Sequence, residues 1–159
     1  MGFDLKDLKK EYEKIAKKYS LPKFSEMNKR FEIEKLAGRE TEMLVREIRR
    51  IMMEKASNYF KFSEVFINPG TAPMFFLAAI KKMDGIDKKP LEELYIELGK
   101  LEVEAISLEN IYDEKKEADF IKKTYKKWED ISKRFGSLME RVMKSAEKQS
   151  EKKERSYFS

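Results

Sequence analysis

The sequence predicts an all-α protein, a helical bundle of about six helices in which helices 5 and 6 form a long antiparallel, heptad-patterned hairpin. Three observations predict it. Apolar residues recur three and four apart along most of the chain, the period of one helical face. Only 6 Gly and 4 Pro occur in 159 residues, so turns are few and elements long. No stretch shows the strict apolar–polar alternation of a half-buried strand, and no repeat of roughly 20–50 residues is evident.

Helix 1 is expected from the N-cap Asp4 to about Tyr19, with Leu5, Leu8, Tyr12, Ile15, Ala16 and Tyr19 on one face. Leu21-Pro22 ends it, because a residue before proline is pushed out of the α region. Helix 2 is short, capped by Ser25, with Met27, Phe31, Ile33 and Leu36 as contacts and Gly38 closing it. Helix 3 starts near Arg39 or Glu40 and buries Leu44, Ile48, Ile51, Met52, Ala56 and Tyr59. Phe60, Phe62, Val65 and Phe66 either continue it or form a bent extension. Asn68-Pro69-Gly70-Thr71 reads as a type II turn, with Pro at i+1 and Gly at i+2.

Helix 4 begins with Thr71 or Ala72 at the cap and Pro73 in the first turn. Met74–Ile80 is apolar on every face, which places this helix at the centre of the core. Asp84-Gly85 stops it. Helix 5 has Asp87 as cap and Pro90 in its first turn. Leu91, Leu94, Leu98, Leu101, Ala105, Leu108 and Tyr112 keep a/d spacing over three heptads, a span of about 33 Å. Ile96, Val103 and Ile106 add a second stripe, so helix 5 is expected to touch more than one neighbour. Helix 6 starts near Asp113, with Ile121, Tyr125, Trp128, Phe135, Met139 and Val142 in register and Ser132 on one core position. Gly136 either bends it or ends it, with Ser137-x-x-Glu140 boxing a new start. The expected organisation is one helical domain over residues 1–146 and a disordered charged tail over 147–159.

Composition excludes several chemistries. The chain has no Cys and no His. Disulfides, thiolate ligands and a Ser–His–Asp triad are therefore impossible within it, and its commonest general base is missing. Asp, Glu, Lys, Arg and Tyr remain, but they form no recognisable catalytic or metal site. The reading is a non-enzyme without cofactor. The N-terminus lacks the apolar stretch of a signal peptide, and the longest apolar run, Met74–Ile80, is far short of the roughly 20 residues of a membrane span. A cytoplasmic protein with no membrane partner is expected. The Lys/Glu-rich composition, with one Gln, is thermophile-like, though nine Met run against that.

The net charge of +5 hides a segregation. Residues 90–114 hold one Lys against eight acids, and residues 115–155 hold fourteen Lys and Arg against eight acids. Complementarity across the hairpin is the favoured explanation. The alternative is a nucleic-acid surface made by Lys116, Lys122, Lys123, Lys126 and Lys127, with Tyr125 and Trp128 between them. Those two aromatics sit on the core register, which weakens it. Arg46, Arg49 and Arg50 are a candidate partner or anion contact, since guanidinium binds carboxylate or phosphate with two parallel bonds. Glu42–Arg46 and Arg50–Glu54 are spaced to pair locally, and Arg49, with no acid three or four residues away, is expected to pair with acidic helix 5. Met74, Phe75 and Phe76 are a candidate docking surface if helix 4 is not wholly core. The function these features suggest is protein–protein contact by helix docking, with a symmetric homodimer as one version.

Overall fold

The computed structural model describes residues 2–82 and 88–157. Among the described residues the protein is all-helical, as expected, with six α-helices and no strand. The chain divides into two compact units: Met1–Asn58 with Gly99–Lys127, and Tyr59–Leu98 with Trp128–Ser159.

In the first unit, α1 (Leu5–Tyr19) starts where expected, because the Asp4 carboxylate accepts a bond of 2.8 Å from the Asp7 N–H. It ends one turn before Pro22, with Ser20 in the left-handed conformation and the Leu21 N–H returning to the Ala16 carbonyl. The Tyr12 hydroxyl donates to the Pro22 carbonyl at 2.6 Å, pinning the chain after the helix to the core. Burial pushes that hydroxyl well above the usual phenol range.

Helix α2 (Phe24–Phe31) is shorter than the sequence suggested, and its cap is Lys23 rather than Ser25. The chain breaks at Glu32, in the left-handed region at φ 55°, and Ile33–Leu36 form a separate 3₁₀ turn. The reason is geometric. In a continuous α-helix Ile33 would lie about 200° around from Phe31. The break instead brings Phe31, Ile33 and Leu36 all into the core. Asn28 clasps the corner, accepting from the Glu34 N–H and donating to its carboxylate. Gly38, at φ 84°, donates its N–H to the Phe3 carbonyl, and a side chain at Gly2 would collide with the Gly38 carbonyl.

Helix α3 (Leu44–Ile67) begins later than Arg39 or Glu40, because the Thr41 hydroxyl accepts from the Met43 N–H and holds the preceding turn open. It continues through Phe60–Phe66 without a separate extension. The second-unit part of α3 buries Phe66 and Ser63, whose hydroxyl is satisfied by the Tyr59 carbonyl. Tyr59 stacks on Trp128 at 5.2 Å and on Phe135 at 3.9 Å between centroids.

The Asn68–Thr71 turn is not type II. Pro69–Thr71 is a 3₁₀ turn and Gly70 does not take positive φ. Helix α4 (Met74–Lys82) does not lie at the core centre, which corrects the expectation from its all-round apolarity. Nine residues present one line inward: Ala79 is buried, with Phe76 and Ile80 packed partly on Phe66, Leu91, Leu138 and Val142. The stop at Asp84-Gly85 and the cap at Asp87 lie outside the described residues.

Helix α5 (Lys88–Asn110) buries Leu91, Leu94, Leu98, Leu101, Ala105 and Leu108 as the heptads require. Its second stripe is a correction: Ile96, Val103 and Ile106 are exposed. They sit about 110–170° around the helix from the buried stripe, on a side that no other element covers among the described residues. Helix α6 (Glu114–Tyr157) is capped by Asp113 and passes Gly136 unbroken. Its main buried stripe, Glu117, Ile121, Thr124, Trp128, Ile131, Phe135, Leu138, Val142 and Ser145, alternates four and three apart, with Ala118 and Phe120 buried beside it. Thr124, Ile131 and Leu138 thus take the places expected for Tyr125, Ser132 and Met139. Ion pairs Glu104–Lys123 in the first unit and Glu97–Arg134 in the second mark the antiparallel run of α5 beside α6.

Candidate functional site

The charged residues buried in the first unit, among the described residues, are Arg46 and Arg49 on α3 and Glu117 in the first turns of α6. The sequence places them there by register. Arg46 and Arg49 are three apart beside the buried Val45 and Ile48, and Glu117 is four before Ile121 on the α6 core stripe.

Glu117 is 0% exposed, and both its oxygens are engaged. Oε1 accepts from Arg46 Nε at 2.9 Å and from Arg49 Nη2 at 3.2 Å, while Oε2 accepts from Arg49 Nε at 2.7 Å. Arg49 thus makes the two-pronged contact its planar fork favours. Arg46 Nη2 also donates to the Leu108 carbonyl at 2.6 Å, near the end of α5 where carbonyls lack helical partners. Its guanidinium lies 5.0 Å from the Tyr112 ring centre. Glu109 extends the cluster outward, accepting from Arg49 at 2.7 Å and from Arg50 at 3.1 and 2.8 Å. Arg50 also bonds Glu47 at 2.7 Å.

Arg46 and Arg50 therefore turn to long-range partners rather than to the expected local Glu42 and Glu54. Arg49 does reach helix 5 through Glu109, but its deeper partner is Glu117 on the basic helix, which the sequence reading did not single out.

The electrostatics follow from these contacts. The bond from Arg50, reinforced by Arg49, pulls the Glu109 carboxyl down to about 2. Burial alone would lower Arg49, but its bonds to Glu117 and Glu109 hold it above the usual guanidinium range. Nearby, Glu114 accepts from Lys18 at 2.8 Å and from the Tyr19 hydroxyl at 2.6 Å, which holds its carboxyl below the ordinary range. Three guanidiniums face three carboxylates, so an incoming anion has to displace an acid already bound. The arrangement works as a clamp joining α3 to the last turn of α5 and the first turns of α6. The dipoles of α5 and α6 favour it, with Arg at the C-terminus of one and Glu at the N-terminus of the other, while that of α3, with Arg46 in its first turn, opposes it.

The other sequence-derived residues are placed as follows. Lys116, Lys123, Lys126 and Lys127 are exposed on α6 and Lys122 is half-buried. Lys123 is paired with Glu104. The face of Tyr125 is occupied by the Arg30 guanidinium at 4.3 Å, and Trp128 is buried. On α4, Met74 is 84% and Phe75 59% exposed, whereas Phe76 is half-buried against Phe62. Among the described residues no group of three or more acids is arranged to hold a metal ion, and no helix is long and apolar enough to cross a membrane. No protein-family model, curated protein or solved structure matches the chain.

Proposed function

We propose that this chain is a non-catalytic, cytoplasmic protein–protein interaction module that receives an amphipathic helix of a partner on the outer face of α4. The carrying observation is the exposure of Met74 and Phe75, at the start of a helix whose inner side packs on the apolar cluster. Large flexible and aromatic side chains left in water favour an interface, and Met adapts to the surface it meets. Lys81, exposed two turns after Met74, favours a partner whose apolar stripe is flanked by acids. The absence of His and Cys and the engagement of Glu117, Glu109 and Glu114 in ion pairs support a non-catalytic role. The nucleic-acid reading has less support, because the Arg30 guanidinium covers one face of the Tyr125 ring and Trp128 is buried, which leaves little aromatic surface for a base to stack on.

The test is recovery of partners from native extract on the immobilised protein, with protein and nucleic acid both identified, beside a Met74→Glu/Phe75→Glu variant. A protein retained by the native chain and lost by the variant is expected. Equal retention by both, or no retention together with a strictly monomeric mass, overturns the proposal. Salt-sensitive nucleic acid in place of protein would favour the Lys surface instead.

A further inference from the structure

The second unit contains a pocket of about 230 Å³ between the start of α5 and the middle of α6. Its floor is apolar: Pro90, Leu91, Leu94 and Leu138. Its polar lining is Ser137 and two arginines, Arg134 and Arg141, with no carboxylate among the described lining residues. Arg134, Leu138 and Arg141 fall on one face of α6 by their four- and three-residue spacing.

The two guanidiniums differ. Arg134 is fixed by Glu97 and Asp130, which balance its charge, while its Nε is buried without a hydrogen-bond acceptor among the described residues. Arg141 is exposed and has no ion-pair partner among the described residues. Among the described residues the pocket therefore offers one cation without an ion-pair partner, beside an apolar floor. A doubly charged phosphate would lack a second free cation and find no use for the floor. A monoanion with a hydrocarbon tail matches both features. The volume is below the about 300–1,000 Å³ of clefts that take drug-sized molecules, so the guest is small.

The geometry points to a binding site for a small apolar monocarboxylate, its carboxylate on Arg141 and its tail over Leu91, Leu94 and Leu138. The site lies in the second unit and takes no lining residue from α4, although Leu91 and Leu138 also carry the inner side of that helix. Two donors of one guanidinium meet two carboxylate oxygens, the bidentate contact that Arg makes best.

The test uses the full chain and octanoate as probe, with binding followed by calorimetry. Acetate supplies the headgroup without the tail, and octanol the tail without the charge. Octanoate is expected to bind saturably, with acetate and octanol each weaker by at least about tenfold, the scale of losing a charge-assisted bond or several buried methylenes. Arg141→Gln should weaken octanoate about tenfold. Ser137→Trp, a change at an exposed position, should fill the mouth and abolish binding. Circular dichroism melts of both variants establish that they are folded. Lack of saturable octanoate binding overturns the assignment. So does equal binding of octanoate by the native chain and the folded Ser137→Trp variant, or acetate binding as tightly as octanoate.

Discussion

Glu117→Gln keeps the shape of the side chain and removes the charge on which Arg46 and Arg49 converge. In the native protein three hydrogen bonds, at 2.7, 2.9 and 3.2 Å, end on this fully buried carboxylate. A neutral amide cannot balance two guanidiniums, and its own N–H₂ turns a donor toward theirs. Breaking a buried ion pair from one side costs about 3–5 kcal/mol, because the surviving charge stays desolvated. Arg49 keeps Glu109 and Arg46 keeps the Leu108 carbonyl, which places the expected loss near the lower end, about 3 kcal/mol. For a chain of this size each kcal/mol moves Tm by about 2–4 °C, so a fall of roughly 10 °C is expected in a circular dichroism melt. Replacing the whole triad, as Arg46→Met/Arg49→Met/Glu117→Leu, should recover most of that loss, since an apolar core of similar volume costs no desolvation. A Glu117→Gln melt within about 2 °C of the native one would refute the reasoning. It would mean that the arginines find other partners without cost.

Three further outcomes are expected. Glu109, folded near 2, and Glu114, also lowered, stabilise the fold above the ordinary carboxylate range and lose that contribution as pH falls toward about 2. Urea midpoints should thus drop from about pH 4.5 downward, and Glu109→Gln should flatten that slope; an unchanged slope contradicts it. Gly136→Ala should raise stability by about 0.5–1 kcal/mol, because a Cβ there meets nothing within 4 Å and the helix is continuous. A urea midpoint that falls instead would show a local constraint at Gly136. Thr124→Val should leave stability unchanged or raise it by up to about 1 kcal/mol, since the buried hydroxyl has no hydrogen-bond partner among the described residues. A clear loss in the same assay would reveal a partner for that hydroxyl.

Features carried by local pattern were legible in the sequence. Asp4 capped its helix, the α5 leucines faced inward, and the opposed charges of α5 and α6 appeared as Glu104–Lys123 and Glu97–Arg134. Features decided by distant neighbours were not. Glu117 meets arginines 68 and 71 residues earlier in the chain. Its register position, four before Ile121, was the available signal, but a glutamate on a charged helix reads as solvated until its partners are known. The break at Glu32 likewise required three apolar residues to reach one core by a path no single helix allows. Helix α4 shows the opposite difficulty. Its apolarity was plain, but the amount that packs depends on how much surface the neighbouring helices offer to nine residues. The same applies to Ile96, Val103 and Ile106, whose spacing reveals a stripe and not what covers it.

The docking proposal is tested most directly by the affinity of the protein recovered on the native chain. Its Kd is to be measured against the native chain and against Met74→Glu/Phe75→Glu, with both confirmed folded. Two apolar anchors lost from an interface centre cost about 2 kcal/mol or more, so a loss of at least about thirtyfold is expected. An unchanged Kd would contradict the account and place the interface elsewhere on the molecule.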